Sequence, residues 1–203
     1  MTTYAMPTTI SPKQARFGLV TNTRSFVSPL SGAVQTTAMS GARWTATYTY
    51  PPMSHTQAGE FQAFLISLQG SENRFYAWDP LHKIKGNRGG MGGTPLVDGA
   101  SQTGTTLVTD GWPNSTLVLK KGDYFTVNNE LKMVTADETS DGSGDLTINF
   151  EPALRSSPSN NATITVSGAT CIMMLSDDNQ TMWDQSNIEQ YGLTFSGIEA
   201  FTS

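Results

Sequence analysis

Two histidines and one cysteine are the side chains of this sequence best suited to acid–base or nucleophilic chemistry. Neither His55 nor His82 has a second histidine or cysteine at the spacing of a zinc site. Cys171 lies in the apolar run 171–175, which is typical of a buried, unreactive thiol, and a single cysteine forms no internal disulfide. No Gly-x-Ser-x-Gly motif marks a nucleophilic serine. We therefore expect no catalytic residue, no metal site and no cofactor, and we interpret the chain as something other than an enzyme.

The glycine-rich stretch 86–93 could be taken for a phosphate-binding loop. Such a loop needs a lysine directly after its last glycine, because that side chain reaches the phosphates. No lysine follows here. The stretch is therefore interpreted as a flexible hinge or domain junction, since glycine and asparagine favour no packed element.

Four acidic residues, Asp137, Glu138, Asp141 and Asp145, surround two glycines. Loops of this composition can bind calcium through several oxygen ligands. The alternate acidic positions and the final glutamate of a calcium-binding EF-hand loop are missing. A solvated hairpin turn is the interpretation we adopt.

Trp112 is the aromatic side chain that the sequence marks as a contact residue. Trp44 and Trp78 are in phase with apolar strand neighbours, which predicts that both pack in a core. Trp112 instead lies between Asp110-Gly111 and Pro113-Asn114, two turn-forming pairs. A tryptophan in a loop can bind a partner protein or stack on a sugar, so a carbohydrate-binding module or adhesin is the alternative function.

The charge and composition of the chain limit the kinds of molecule that it is expected to bind. The chain has 203 residues, 12 basic and 17 acidic, with a net charge of −5 and no cluster of lysine or arginine. A nucleic-acid-binding face needs such a cluster, so we expect no sequence-specific binding of DNA or RNA. Only 14% of residues are charged. A neutral polar surface suits a subunit covered by neighbours, because a charge buried at a contact needs a partner, but it also suits an extracellular β domain.

We expect neither a signal peptide nor a membrane span. The first residues have neither the basic start nor the apolar stretch of a signal peptide, and no run approaches the roughly 20 apolar residues of a membrane span. We expect a protein made in a reducing cytoplasm, which it leaves only as part of a particle.

Periodicity predicts a mainly β chain with one helix. Residues 26–50 are predicted to form two strands, with turns at 28–32 and at Ser40-Gly41. The second strand alternates strictly between an apolar face (Trp44, Ala46, Tyr48 and Tyr50) and a polar one until Pro51-Pro52. A helix over 54–69 is predicted by the capping pattern Ser54-x-x-Gln57 and by an apolar stripe. The stripe consists of Phe61, Phe64, Leu65 and Leu68.

The middle of the chain has a different sequence pattern, in which short predicted strands are separated by turn residues. Such spacing favours a small antiparallel barrel or sandwich. We expect a β-sandwich domain from residues 1–92 and 168–203, and an inserted β-barrel from 93–167. The predicted barrel strands are 105–109, 116–119, 124–127, 131–136, 146–150 and 162–166. Further strands are predicted at 74–78, 171–175, 182–183 and 191–195, with a bulge at Gly197.

Several stretches in order along the chain resemble the distal tail proteins of long-tailed (siphovirus-type) bacteriophages. The likeness spans roughly residues 24–200. It is carried by SPLSGAVQT (28–36), WTATYTYPPM (44–53), FYAWDP (75–80), VDGASQTG (97–104), LKKGDYF (119–125) and EPALR (151–155).

The resemblance implies a structural protein of the virion tail. Such proteins form a hexameric ring from a β-sandwich with a flanking helix, and some carry an outward-facing barrel of the oligosaccharide/oligonucleotide-binding type. The ring would join the tail tube protein to tail-tip hub and fibre proteins and continue the DNA channel. It also implies no catalytic residue and assembly in the host cytoplasm. A homo-oligomeric ring subunit is thus the first hypothesis, an adhesin the second and a hydrolase the last.

Overall fold

The computed structural model describes residues 1–183 and 191–201, and it confirms the predicted fold class. The chain is mainly β, with a sandwich-like larger unit flanked by one long helix and a smaller barrel-like unit. The strands are β1 (Thr3–Ala5), β2 (Gln14–Val27), β3 (Val34–Met53), β4 (Arg74–Ala77), β5 (Leu96–Val97), β6 (Gly104–Asp110), β7 (Leu117–Leu119), β8 (Tyr124–Val127), β9 (Glu130–Val134), β10 (Glu138–Thr139), β11 (Leu146–Leu154), β12 (Cys171–Leu175) and β13 (Tyr191–Glu199). The helices are α1 (His55–Ser67) and α2 (Pro80–Lys85), with a short 3-10 turn at Asp178–Thr181.

The larger unit is a six-stranded sheet in the order β1-β4-β12-β13-β3-β2, with α1 packed against its buried face. Only the β1–β4 pair is parallel. The alternation predicted for residues 44–50 is confirmed, because Trp44, Ala46, Tyr48 and Tyr50 are all buried in this core. Trp78 is also buried, as predicted.

Helix α1 begins and ends as its sequence predicts, within two residues. The Ser54 hydroxyl accepts a hydrogen bond from the Gln57 backbone N–H, and the Gln57 side chain accepts one from the Ser54 backbone N–H. This reciprocal cap satisfies two donors that the first turn cannot pair internally. Gln69 and Gly70 then adopt left-handed backbone angles, which end the helix.

The smaller unit has its own hydrophobic core. It consists of a five-stranded sheet in the order β5-β6-β11-β9-β8 and a separate two-stranded pair, β10-β7. Five of the predicted strands are present with small shifts at their ends. The strand predicted at 162–166 is wrong, because this segment makes only two isolated bridges, Thr163 to Leu96 and Thr165 to Thr126. The domain limits at 92/93 and 167/168 stay a prediction.

The largest difference from prediction is in β2 and β3. The predicted turn at Ser40-Gly41 is wrong, because β3 runs unbroken from Val34 to Met53 and includes Pro51-Pro52. It pairs with β2, a strand that the sequence did not predict. The glycine marks a β-bulge, because the pairing register shifts between Val20 and Asn22. Gly41 has a φ of +105°, a backbone conformation that glycine adopts without strain.

The strand predicted at 74–78 ends at Ala77, and Asp79 then caps α2 by accepting from the Leu81 N–H. Two smaller predictions are wrong. Met182-Trp183 is not a strand. Gly197 pairs in regular register with Ala46, and its missing side chain makes room for the Phe75 ring, which lies 2.7 Å from where a Cβ would be. Among the described residues, neither helix is long and apolar enough to cross a membrane.

Candidate functional site: an exposed hairpin arm

Trp112, the contact residue suggested by the sequence, is not at the surface. Its side chain is 4% exposed within the barrel core. The indole N–H donates to the Thr109 hydroxyl at 2.8 Å, and the Trp112 backbone N–H donates to the Gly144 carbonyl. The expected exposure is therefore wrong, because the turns on either side fold the ring inward. A ring buried on both faces offers no platform for a sugar, which leaves the adhesin hypothesis without its residue.

The two histidines lie apart from each other. His55 is the first residue of α1, whereas His82 packs edge-on against the Tyr124 ring, with 4.4 Å between ring centroids. The His82 Nδ1 atom is 3.6 Å from an Asp79 carboxylate oxygen. In the described part of the chain, no three histidine, cysteine or acidic residues are grouped so that they could hold a metal ion.

Cys171 is fully buried in the sheet core, as its sequence context predicts. Burial, with a smaller contribution from the nearby Glu199 carboxylate, raises the pKa of the Cys171 thiol well above its usual value. A thiol held protonated in this way is a poor nucleophile.

The acidic loop uses its carboxylates to hold turns. One Asp141 oxygen accepts from the backbone N–H groups of Ser143 and Asp145, and these bonds lower the pKa of Asp141. Glu138 is buried and accepts from both the backbone and the side-chain amide of Asn149. The Asp141 bonds agree with the predicted turn, but Glu138 is buried in β10, so the interpretation of the whole stretch as solvated is wrong.

The glycine-rich stretch is bound to the barrel, so the flexible-hinge interpretation does not describe its centre. The buried Asp123 carboxylate accepts from the backbone N–H groups of Arg88, Gly89 and Lys120, each at 2.9–3.0 Å. Next along the chain, the Gly90 N–H donates to the Leu117 carbonyl at 2.8 Å. These bonds attach the stretch to β7 and to the turn that follows it.

Close backbone approach explains why glycine is needed in that stretch. A Cβ added to Gly89 would lie 2.1 Å from the Val118 carbonyl oxygen, a distance that no side chain tolerates. The glycines therefore allow one backbone segment to pack closely against another, and they do not make the stretch mobile.

The two units are joined through a buried polar network. The Trp44 indole N–H in β3 donates to the Leu131 carbonyl of the barrel at 2.9 Å. Arg155, at the end of β11, forms a two-pronged ion pair with Glu199 of the sheet, with N–O distances of 2.7 and 2.5 Å. The same Glu199 accepts from the Trp44 backbone N–H. Barrel and sheet are thus connected by charge-assisted bonds at one point.

A second buried ion pair lies beside the first. The Lys132 ammonium, completely buried, donates to Glu130 at 2.7 Å and to the Ala153 carbonyl at 2.8 Å. Burial alone would raise the pKa of Glu130, but the hydrogen bond and charge of Lys132 outweigh it and lower the pKa. Glu130 also accepts from the Arg155 backbone N–H, which links the two ion pairs.

The feature that the structure adds to the sequence is a long exposed hairpin. Beyond the core, β2 and β3 continue as a two-stranded ribbon, here called the hairpin arm (residues 20–41), in which every residue except Ser28 is exposed. Leu30 at the tip is 98% exposed and Phe26 65%. The other large apolar side chains exposed on it are Val20, Val27, Val34 and Met39. Arg24 is its only charged residue.

Local chemistry explains why the arm forms a ribbon without a core. Its two strands pair in register from Asn22–Met39 to Val27–Val34. The turn predicted at 28–32 is confirmed: the Ser28 N–H donates to the Ala33 carbonyl at 2.9 Å, and Gly32 adopts a φ of +68°. Threonine and valine, which make up seven of its 22 residues, favour the extended conformation.

A groove of about 610 Å³ lies where the arm meets the barrel. It is lined by the base of the arm, by the end of β11 and by Phe201; the lining residues are Thr21, Asn22, Thr23, Ala38, Met39, Ser40, Gly41, Ala42, Glu151, Pro152, Ala153, Leu154, Arg155 and Phe201. The guanidinium groups of Arg43 and Arg155 lie 4.2 and 4.0 Å from the centre of the Phe201 ring. Cation–π contact on this scale holds the ring in place at one end of the groove.

No model of a known protein family matches this chain, and no curated protein matches it significantly.

The sequence did not predict the arm, because we placed a turn at Ser40-Gly41 and assigned no element to residues 14–25. Phe17 and Leu19 lie at alternate positions, and a polar run follows them. This pattern could have indicated a strand that begins in the core and then extends beyond it.

Proposed function

We propose that this protein is a structural subunit of a bacteriophage tail, forming a homo-oligomeric ring at the distal end of the tail tube. In this role it joins the tube to the tail-tip hub and fibres and surrounds the path of the DNA. The observation that carries the proposal is the hairpin arm, an exposed apolar ribbon with one charge.

An arm of this composition is unfavourable on an isolated molecule. Monomeric proteins keep long open strands charged, short or covered, because unpaired backbone edges and apolar side chains bind other chains. Here the ribbon presents six large apolar side chains to water and a single arginine. Such a surface is stable in solution only when another protein covers it, which supports an assembly role.

The rest of the molecule supports a rigid building block. The barrel is joined to the sheet by the Trp44–Leu131 hydrogen bond and by two linked ion pairs. Asp123 attaches the connecting stretch to the barrel. A ring requires each copy to hold one shape, because small errors in angle prevent closure. The resemblance to distal tail proteins supports the same role and supplies the six-fold symmetry of the proposal.

Electron microscopy of the purified full-length protein tests this function. We expect negatively stained particles to be closed rings with an open central channel, six copies each. Particles that stay single at every concentration and do not bind the tail tube protein would contradict the proposal. A variant with Leu30→Ser and Phe26→Ser, which lowers the apolar character of the tip, is expected to give few rings. The matched control is Val108→Ser, since Val108 is an exposed valine on the barrel.

A further inference from the structure

We infer that the hairpin arm of one copy of this chain binds in the groove of a neighbouring copy, with Arg24 of the arm against Glu151 of the groove. The inference rests on the proposed ring and names the contact that builds it. It commits to a second copy as the occupant of the groove.

The groove has an open strand edge on one side. Strand β3 pairs with β2 along one edge, but on its other edge the pairing with β13 stops at Thr45. Past that point, within the described residues, this edge has two side-chain partners: Glu199 accepts from the Trp44 N–H, and Arg155 donates to the Ala42 carbonyl at 3.1 Å. The remaining edge of the arm base is free to pair with an extended segment, as in β-strand addition.

The charges of the arm and the groove are complementary. Glu151 lines the groove and is exposed. Arg24 is exposed and is the only charge on the arm. Neither forms an ion pair within the part of the chain that the structure describes. Opposite charges placed in this way determine register and partner choice more than affinity.

The apolar surfaces are complementary as well. Arg24 and Phe26 are two residues apart on β2, so they lie on the same face of the ribbon. The groove offers small or apolar side chains to the ring of Phe26, among them Ala38, Ala153 and Leu154. Aromatic residues and arginine are both enriched in the cores of protein interfaces.

The tip of the arm cannot reach the groove of its own copy. The base of the arm forms one wall of that groove, and the tip lies roughly 20 Å further along the ribbon at about 3.3 Å per residue. The arm and the groove are also different surfaces, so contact between them is head-to-tail, which closes into a ring or continues as a fibre. The length of the arm agrees with the roughly 20–30 residues that each partner contributes to an interface of standard size.

A charge exchange in the full-length protein tests the contact, with assembly followed by sedimentation velocity. We expect Arg24→Glu and Glu151→Arg each to weaken assembly about tenfold or more, and the double variant to regain it, because each copy then carries the reversed pair. Glu72→Arg makes the same change of charge at an exposed site outside the groove, and should assemble like the wild type. Single variants that assemble normally, or a double variant no better than the singles, would overturn the inference.

Photo-crosslinking gives a second readout that does not depend on charge. A benzophenone amino acid at position 26, in a mixture of ¹⁴N- and ¹⁵N-labelled protein, should join the arm to residues 38–42 or 151–155 of another copy. Crosslinks to other surfaces would overturn the inference while the ring itself stands. A wild-type protein that remains a single copy at all concentrations would contradict the proposed function and this contact together. The failure of the contact alone can therefore be distinguished from the failure of the proposed function.

Discussion

Strand β3 contains two regions with opposite character. From Trp44 to Met53 it alternates buried aromatic residues with polar ones and contributes to the core. From Val34 to Gly41 it has no aromatic residue and is fully exposed. One continuous strand therefore packs in the core over about half its length and is exposed over the rest. The division falls at the Gly41 bulge, where the register shifts.

The hairpin arm and the unit junction reverse the usual distribution of charge. At the junction, Lys132, Glu130 and Glu199 are buried in ion pairs, whereas the arm exposes apolar side chains and one arginine. Charged residues are almost never fully buried unless they are paired. The charged groups of the junction are paired within the chain, whereas the apolar side chains of the arm are exposed to solvent.

The largest effect on stability is expected from Lys132→Met. The substitution keeps the volume but removes the partner of the buried Glu130. Breaking a buried pair in this way costs about 3–5 kcal/mol of unfolding free energy. Urea titration followed by tryptophan fluorescence measures the loss.

Replacing both partners of that pair provides its control. Glu130→Gln combined with Lys132→Met leaves no unpaired buried charge, so most of the lost stability should return. A double variant as unstable as the single one would show that Lys132 acts through packing and not through its charge.

Gly89→Ala is expected to cost about 1–3 kcal/mol, as overpacking does. The new methyl group would meet the Val118 carbonyl, and the Asp123 bonds hold the backbone in place. Gly142→Ala is the matched control, because nothing lies within 4 Å of its added Cβ. Equal melting temperatures for the two variants would contradict the close contact.

The Asp123 carboxylate predicts loss of stability in acid. Burial, the largest influence, would raise the pKa of Asp123, but hydrogen bonds from Arg88, Lys120 and Gly89 outweigh it and lower the pKa. Because the folded pKa lies below the unfolded one, this contribution is present at neutral pH and is lost as pH falls below about 4. Asp123→Asn should show a shallower fall in melting temperature between pH 5 and 3; parallel curves would contradict this assignment.

The smallest effect on stability is expected from Phe26→Ser in the arm. Its ring is exposed and contacts no core, so unfolding free energy should change by no more than about 0.5 kcal/mol. Assembly should nevertheless weaken. A clearly destabilised monomer would show that the arm folds back onto its own chain.

Local sequence signals predicted the elements whose pattern is complete within a few residues. The capping box of α1, the alternation of 44–50 and the turn at 28–32 are of this kind. Contacts between distant segments were not predictable: Asp123 binds backbone donors about 35 residues away, and Glu199 binds the Trp44 N–H, 155 residues away. The inward fold of Trp112 likewise depends on Thr109 and Gly144, which its flanking turns do not reveal. The arm was hidden because Ser-Gly, a common turn pair, here marks a bulge.

The most direct test of the account is the mass of the protein in solution with and without its arm. Replacing residues 24–37 by Asn-Gly joins Thr23 to Ala38, which are already paired, through a two-residue hairpin turn. The account predicts that this shortened chain keeps the circular dichroism spectrum of the folded β protein but sediments as a single copy, whereas the wild type sediments as a closed oligomer. A shortened chain that assembles as completely as the wild type would contradict it.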